Sequence, residues 1–225
     1  MRKSGRITAA ATTTIIDLTM TVSASIKVFP SSPQPLFRPA STFDAHGYES
    51  ETVDMSTHTG THMDTPSHFA CGKAPIDRID ASRFVARARL ARLKKKAGET
   101  ISAAEIGRVE EGDTIIIATG WEKHYEEDDY MTCNPGLSRE AAEYLARKRV
   151  NAVGIDGPSI DPGHDAGFTA HNVLLPAGVL VIENLCNLDK IKNDTTRFTL
   201  VATPLKLAGA SGSPIRALAI LSDRR

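Results

Sequence analysis

The chain has 225 residues, enough for one domain with a sizeable hydrophobic core. Its 27 basic and 27 acidic side chains give a formal net charge of zero, which provides no electrostatic case for binding nucleic acid or an acidic membrane surface. No apolar run approaches the ~20 residues needed to span a bilayer, and a hydrophobic content of 41% is ordinary for a soluble globular protein.

Residues 1–14 are basic, small and polar, without the apolar segment of a secretory signal. They predict a flexible N-terminal extension, with a transit peptide as the alternative, and residues 15–225 are expected to form a single domain. The three cysteines are far apart and form no CxxC pair. A disulfide framework is therefore not expected, and a reducing, cytoplasmic compartment is the simpler interpretation.

The first third of the chain is rich in β-type sequence. Residues 15–18 and 26–29 each predict a short strand. Four prolines between residues 30 and 39 predict a surface loop with no regular element, and residues 48–64 are expected to be extended.

Residues 84–90 alternate small apolar side chains with arginines, which predicts a half-exposed strand. Arg92 and the lysines at 94–96 follow it. One interpretation is a nucleic-acid patch, but no aromatic residues are interleaved with the basic ones. The favoured interpretation is a solvated edge strand whose lysines discourage pairing with another chain.

The second half mixes helices and strands. Ser102 and Glu105 have the spacing of a capping box, and Ser138 is expected to cap a helix over 139–149. Residues 114–118 predict a buried central strand. Further strands are predicted at 151–155, 178–183, 198–202 and 215–221. Because strict βα alternation and nucleotide-binding glycine motifs are absent, we predict a mixed α/β domain with few helices rather than a Rossmann fold.

The densest cluster of chemically active side chains lies within eleven residues and consists of His58, His62, Asp64 and His68. A helix would place His58 and His62 on one face, but Gly60 and Pro66 disfavour a helix. A strand would place His58, Gly60, His62 and Asp64 on one face, with room for an ion beside the glycine. Imidazole and carboxylate ligands suit Zn²⁺, Mn²⁺ or Fe²⁺, and hydrogen-bonded surface histidines are the alternative.

Two further ligand candidates lie more than a hundred residues downstream. His171 precedes a Pro-Ala-Gly sequence, and Glu183 ends the strand that follows. A turn at 176–178 would allow both side chains to face one pocket. A glutamate at a strand end is more often simply solvated.

The block His58-x-Gly60-Thr61-His62-x-Asp64-x-Pro66-x-His68 resembles the hallmark of the cyclase-type metal-dependent hydrolases, a family that includes bacterial kynurenine formamidase and isatin hydrolase. The resemblance extends from about residue 16 to residue 221. It is supported by Thr119-Gly120-Trp121, Gly154-Ile155-Asp156 with Ser159 and Asp161, and His171 with Glu183-Asn184-Leu185. It implies a swivelling β/β/α fold, usually assembled as a homodimer or homotetramer.

The resemblance also implies the roles of the site residues. His58, His62 and Asp64 would hold a first divalent metal, Zn²⁺ or Mn²⁺. Asp64 would bridge to a second ion held by His171 and Glu183, and Glu183 would be a second bridging candidate. The number of ions, one or two, stays open.

The activity implied is hydrolysis of an amide, cyclic amide or lactone of a small molecule through a metal-activated water. His68 would be the general acid/base, with a purely hydrogen-bonding role as its alternative. Competing hypotheses are a metal-dependent dehydratase or cyclase of a small carbonyl compound, and a non-catalytic metal-binding protein.

One departure from the family concerns the substrate. Formamidases of this family commonly carry an aromatic-Pro-Gly-Asp loop, whereas this chain has Phe29-Pro30-Ser31-Ser32. Phe29 is a candidate aromatic wall of the substrate pocket, and the missing Gly-Asp weakens the case for formylkynurenine. Cys71, three residues after His68, is expected to be a buried bystander.

Overall fold

The computed structural model describes residues 13–192 and 197–222. Residues 1–12 of the expected N-terminal extension lie outside the described residues. Thr13 and Thr14, which the sequence assigns to the extension, belong to the first strand.

The described residues form twelve strands and four short α-helices. The strands are β1 Thr13–Asp17, β2 Leu36–Ser41, β3 Ser50–Asp54, β4 His62–Asp64, β5 Val85–Arg92, β6 Thr100–Ile101, β7 Thr114–Ala118, β8 Gly136–Leu137, β9 Ala152–Ile155, β10 Leu180–Glu183, β11 Arg197–Pro204 and β12 Gly212–Ser222. The helices are α1 Phe43–His46, α2 Ala103–Ile106, α3 Arg139–Arg147 and α4 Thr169–Leu174. Within these residues no helix is long and apolar enough to cross a membrane.

The main sheet closes into a barrel-like ring. Its strand order is β12-β11-β5-β7-β9-β10-β4, and β12 pairs with β4 as well as with β11. The first residues of β12, Gly212–Pro214, pair with β4, while its later residues pair with β11 and with the additional strand β1. The segment β5-β7-β9-β10 is parallel, and the remaining pairings of the ring are antiparallel.

Strand β7 shows how the layers are arranged. Ile116 belongs to one buried apolar cluster together with β4, β11 and β12 residues, whereas Ile115 and Ile117 belong to a second cluster with α2, α3 and α4. Because both faces of β7 are buried, its sequence is apolar without alternation. The prediction of a buried central strand and of a mixed α/β domain with few helices is confirmed.

The two predicted helix starts are confirmed by their caps. The Ser102 hydroxyl accepts from the Glu105 amide and the Glu105 carboxylate accepts from the Ser102 amide, which is the complete capping box. The Ser138 hydroxyl accepts from the Ala141 amide at the start of α3. Helix α3 ends at Arg147 rather than Arg149, since Arg149 adopts φ of 50°.

Two sequence predictions in the first third are wrong. Residues 26–29 form no strand, because the Ile26 amide donates into a turn and the Lys27 amide donates to the Tyr125 hydroxyl, so neither is available for a ladder. The proline-rich stretch is not wholly irregular, because Leu36–Ser41 pairs with β3 in a separate two-stranded hairpin. Pro39 is tolerated there because a two-stranded sheet consists only of edge strands.

The expected solvated edge strand at residues 84–90 is also wrong in one respect. The strand exists as β5, but it lies between β11 and β7. Two of its arginines bind backbone carbonyls of the protein itself: Arg89 donates to the Ile106 carbonyl and Arg92 donates to the Ile191 carbonyl. Lys95, after the strand, forms an ion pair of 2.6 Å with Glu105.

Candidate metal centre

Strand β4 places two predicted ligands at the centre of the site. His62 and Asp64 lie on one face of β4, while Met63 points to the opposite face and packs in the apolar core. The strand is hydrogen-bonded to β10 on one side and to β12 on the other. Glu183, the last residue of β10, is the cross-strand partner of His62. Ring closure therefore brings residue 183 beside the histidine block.

His58 reaches the same place by a different route from the one expected. It lies in a turn before β4 and not on the strand, and Gly60 within this turn has φ of 61°. The positive φ favours glycine, and a Cβ at residue 60 would lie 3.1 Å from Ile26 Cδ1, a close contact that the isoleucine side chain would have to relieve. Gly60 does not make room for an ion; its carbonyl accepts from His62 Nδ1 at 2.8 Å. His58 Nδ1 lies 2.6 Å from Asp64 Oδ1.

His171 enters the site from α4, a helix that the sequence did not predict. Its Nδ1 lies 2.5 Å from Asp161 Oδ2, and the second oxygen of Asp161 accepts from the Ala170 amide. This contact turns His171 Nε2 towards Asp64 Oδ2 at 3.4 Å and Glu183 Oε1 at 3.2 Å. The sequence places Asp161 in a segment that resembles the family, but it predicts no catalytic or metal-binding role for this residue. Its importance emerges only from the loop conformation that places it under His171.

The donor atoms form two adjacent groups, one of His58, His62 and Asp64, the other of Asp64, His171 and Glu183. Within each group they all lie within 4.8 Å of one another. Both carboxylates are shared. Asp64 directs Oδ1 to the first group and Oδ2 to the second, and Glu183 places Oε2 3.3 Å from His62 and Oε1 3.2 Å from His171. Nitrogen and oxygen donors in this arrangement suit one or two divalent transition-metal ions.

The charges of the site support this interpretation. Burial disfavours the charged form of His62, but the carboxylates of Asp64 and Glu183 outweigh it and raise the His62 pKa to about 10. Burial also disfavours the charged form of His171, but Glu183 and Asp161 outweigh it and raise the His171 pKa well above the usual value. In the metal-free protein, imidazolium groups therefore neutralise the buried carboxylates. A divalent cation would replace these protons as the counter-charge.

His68 is close to the ligand groups but belongs to neither of them. It ends the 3₁₀ turn Pro66–His68, stacks on the His58 ring with centroids 4.0 Å apart, and is partly solvent-exposed. No described residue forms a hydrogen bond with its imidazole ring. Partial burial, reinforced by His58 and His171, outweighs the nearby carboxylates and lowers the His68 pKa to about 4. The ring is therefore neutral at pH 7 and free to accept a proton.

A cavity of about 290 Å³ opens onto these groups. One wall is aromatic: the Phe168 ring lies 6.1 Å from Phe29 and 5.7 Å from Phe69, and Phe69 stacks on His171 at 4.8 Å. Phe29 lines the cavity, and its contact with a substrate stays a prediction. Cys71 does not line the cavity and is exposed, so the expectation that it is buried is wrong.

Comparison with known proteins agrees with this geometry. The Cyclase family model matches residues 16–162. Kynurenine formamidase of Bacillus cytotoxicus is 34% identical over 167 residues, covering 74% of this chain and 77% of the relative. Isatin hydrolase A from Labrenzia aggregata, solved with benzyl benzoate, superposes with a TM-score of 0.85 at 27% identity, covering 94% of each chain.

A third similar structure is described as a potential metal-dependent hydrolase with cyclase activity. It has a TM-score of 0.76 at 29% identity, covering 95% of this chain and 100% of that one. The family match covers well over half of the chain, and it agrees with the fold and with the shared-carboxylate site. The chain belongs to the Cyclase family of metal-dependent hydrolases.

Proposed function

We propose that this chain is a metal-dependent hydrolase that cleaves an amide, cyclic amide or lactone of a small molecule, with carbon–nitrogen bonds other than peptide bonds as its main target. The observation that carries the proposal is the pair of shared carboxylates. Asp64 and Glu183 each direct one oxygen to each of two histidine groups at the base of one cavity. Kynurenine formamidase and isatin hydrolase among the similar proteins support the reaction class.

In this proposal His58, His62 and Asp64 hold a first ion, Zn²⁺ or Mn²⁺, and Asp64 with His171 and Glu183 holds a second. Two contacts support these roles. The Gly60 carbonyl and Asp161 each engage the Nδ1 atom of one histidine, leaving Nε2 of His62 and of His171 to face the carboxylates. Such second contacts fix the orientation and tautomer of metal-binding histidines.

A divalent cation, when bound, lowers the pKa of a water and polarises a carbonyl group. His68 would take the proton from that water, since its ring is neutral at pH 7 and lies beside the ligand groups. It would then deliver the proton to the departing amine or alkoxide. Its stacking on His58 holds it at the edge of the site without making it a ligand. Phe29, with the neighbouring aromatic wall, would position an apolar part of the substrate and exclude solvent.

The proposal is tested with metal-loaded enzyme and a panel of N-formyl arylamines, isatin and simple lactones. The expected result is hydrolysis of at least one class. His68→Ala should reduce kcat by about 100-fold or more while metal content stays at the wild-type level. His124→Ala, which removes a partly exposed histidine outside the cavity, is the control.

Four other outcomes would change the assignment. Wild-type turnover in His68→Ala would contradict the acid/base role, and full metal retention in Asp64→Ala would contradict the shared-ligand arrangement. Products of dehydration or cyclisation would favour the alternative reaction. Metal-loaded enzyme that turns over no compound of the panel would favour a metal-binding protein without catalysis.

We also propose that the protein is a cytoplasmic homodimer or homotetramer. All three cysteines are free thiols, which supports a reducing compartment. The hairpin of β2 and β3 exposes several large apolar side chains, which supports association with a second copy.

A further inference from the structure

Lys27 gives the mouth of the cavity a positive charge that the ligand groups do not explain. Of the described residues that line the cavity, those with ionisable side chains are Lys27, Glu183 and four histidines. Glu183 and three of these histidines belong to the two donor groups, and His68 is the proposed proton carrier. Lys27 is therefore the remaining charged group that a substrate would meet.

Its position is fixed by neighbouring groups that carry no negative charge. The Lys27 amide donates to the Tyr125 hydroxyl at 3.0 Å. The ammonium donates to the Glu127 carbonyl and lies 5.8 Å from the centre of the Tyr125 ring. Within the described part of the chain it forms no ion pair. An ammonium has three donors, so after the carbonyl contact two remain for a ligand.

Hydroxyl groups accompany this cation. Ser31 and Ser32 belong to the same loop and line the same cavity, and among the described residues neither hydroxyl has a hydrogen-bond partner. Ser56, also in the lining, accepts from the His58 amide at 3.2 Å and keeps its own O–H to donate. A lysine with free serine hydroxyls can bind a carboxylate, whereas the cavity offers a substrate cation no carboxylate outside the donor groups.

We propose that the enzyme prefers aromatic amides that carry a carboxylate, and that Lys27 determines this preference. The inference rests on the proposed function, since the scissile amide must reach the metal centre. The aromatic wall of Phe29, Phe69 and Phe168 receives the ring. The carboxylate then lies at the mouth, where Lys27 and the hydroxyls of Ser31 and Ser32 donate to it.

The test compares matched substrates that differ only in charge: the three isomeric formamidobenzoates, neutral formanilide and cationic 4-formamidobenzylamine. At least one formamidobenzoate should exceed formanilide in kcat/KM by about tenfold, the size expected for one charge-assisted hydrogen bond. The advantage should lie mainly in KM and decrease as salt concentration rises. The benzylamine should be the poorest substrate.

Substitution at residue 27 isolates the charge. Lys27→Met should bring the carboxylate-to-neutral ratio close to one, Lys27→Arg should restore most of it, and Lys27→Glu should favour the benzylamine. Rescue by arginine separates charge recognition from a merely structural effect on the loop. Lys206→Met, which removes an exposed lysine outside the cavity, should leave the ratio unchanged.

Binding of the same compounds is measured by calorimetry on metal-loaded protein. Together with the hydrolysis rates, it separates the hydrolase assignment from the carboxylate preference. Hydrolysis with a ratio near one that Lys27→Met does not alter would overturn the carboxylate preference and leave the hydrolase assignment intact. Lys27-dependent binding of a formamidobenzoate without hydrolysis would contradict the hydrolase assignment and support the recognition site. Equal binding of all compounds to wild type and Lys27→Met would overturn the preference whatever the turnover.

Discussion

Asp161 illustrates what a single side chain contributes to this site. It belongs to neither donor group, but its carboxylate accepts from the backbone amide of Ala170 and contacts His171 Nδ1. Both contacts hold the imidazole so that Nε2 faces Asp64 and Glu183. A carboxylate in this position fixes the neutral tautomer that a metal requires.

We therefore predict that Asp161→Asn lowers metal affinity or kcat/KM by about 10- to 100-fold, because an amide can donate to Nδ1 and favour the wrong tautomer. Competition with a chelator measures the affinity, and the best substrate of the panel measures the activity. Asp165→Asn is a matched control, since Asp165 lies on the same loop and accepts from the amides of Gly167 and Thr169 without contacting His171. If metal affinity and kcat/KM are both equal in wild type and Asp161→Asn, the positioning role is refuted.

Local spacing explains how much of the site was accessible from the sequence. The ligands in the histidine block are at most six residues apart, so a pattern of residue types reveals them. His171 and Glu183 were weak candidates until the family resemblance linked them to the block. Asp161 could not be assigned because it lies in the irregular loop between β9 and α4, and no helix or strand period relates its position to that of His171.

At the scale of single elements, short helices depend on their ends. Helix α2 has only four residues. The Lys95–Glu105 ion pair joins its capping box to the segment that follows β5. The hydrogen bond from Lys95, followed by those from Ser102, lowers the Glu105 pKa to about 2. The ordinary pKa of the glutamate is 4.5, so the folded state favours its ionised form.

The sign of the pH dependence follows from this difference. A carboxylate with a depressed pKa stabilises the fold above the unfolded value, and its contribution is lost as pH falls through the folded value. Glu105→Gln should lower the free energy of unfolding by about 0.5–1 kcal/mol at pH 7, a modest figure because the side chain is partly exposed and screened. In urea unfolding, the difference in free energy of unfolding between wild type and Glu105→Gln should decrease as the pH falls from 4.5 towards 2.

Glu126→Gln provides the comparison, since Glu126 is exposed and caps no helix. It should change the free energy of unfolding little at either pH. A Glu105→Gln effect that stays constant from pH 7 to pH 3 would contradict the role of the ionised carboxylate.

Elements with a local signal were predicted well, and elements that depend on distant partners were not. The capping box of α2 and the continuous apolar run of β7 are local patterns, and both are present. Strand β4 has three residues and exists because residues 180–183 and 212–214 flank it. The position of β5 inside the sheet likewise depends on β11, more than a hundred residues away.

At the scale of the whole molecule, the described residues include an apolar surface that the core does not cover. The hairpin of β2 and β3, with α1 between them, exposes Leu36, Phe37, Phe43, Tyr48 and Val53. Phe37 and Val53 are cross-strand partners, each more than 40% exposed. An isolated two-stranded hairpin is only marginally stable in water, so burial against a second copy would stabilise it.

We predict that light scattering after size-exclusion chromatography gives a dimer or tetramer mass, and that Phe37→Ser combined with Val53→Ser reduces it. The apolar pair then no longer drives association. Val85→Ser is the control, because Val85 is also exposed but lies on β5 in the main sheet. A monomeric wild type, or an unchanged mass in the double variant, would contradict this interface.

Ring closure also has a consequence for how quickly bound ions leave. His62 and Asp64 lie on a strand paired on both sides, and His171 and Glu183 are buried. His58 lies in a turn, and its side chain is 19% exposed. Its release would break the side-chain contacts with Asp64 and Ser211 but no strand pairing. An ion held by His58 should therefore have the shorter residence time, and a chelator should remove two ions in two phases. His58→Ala should abolish the fast phase and spare the slow one.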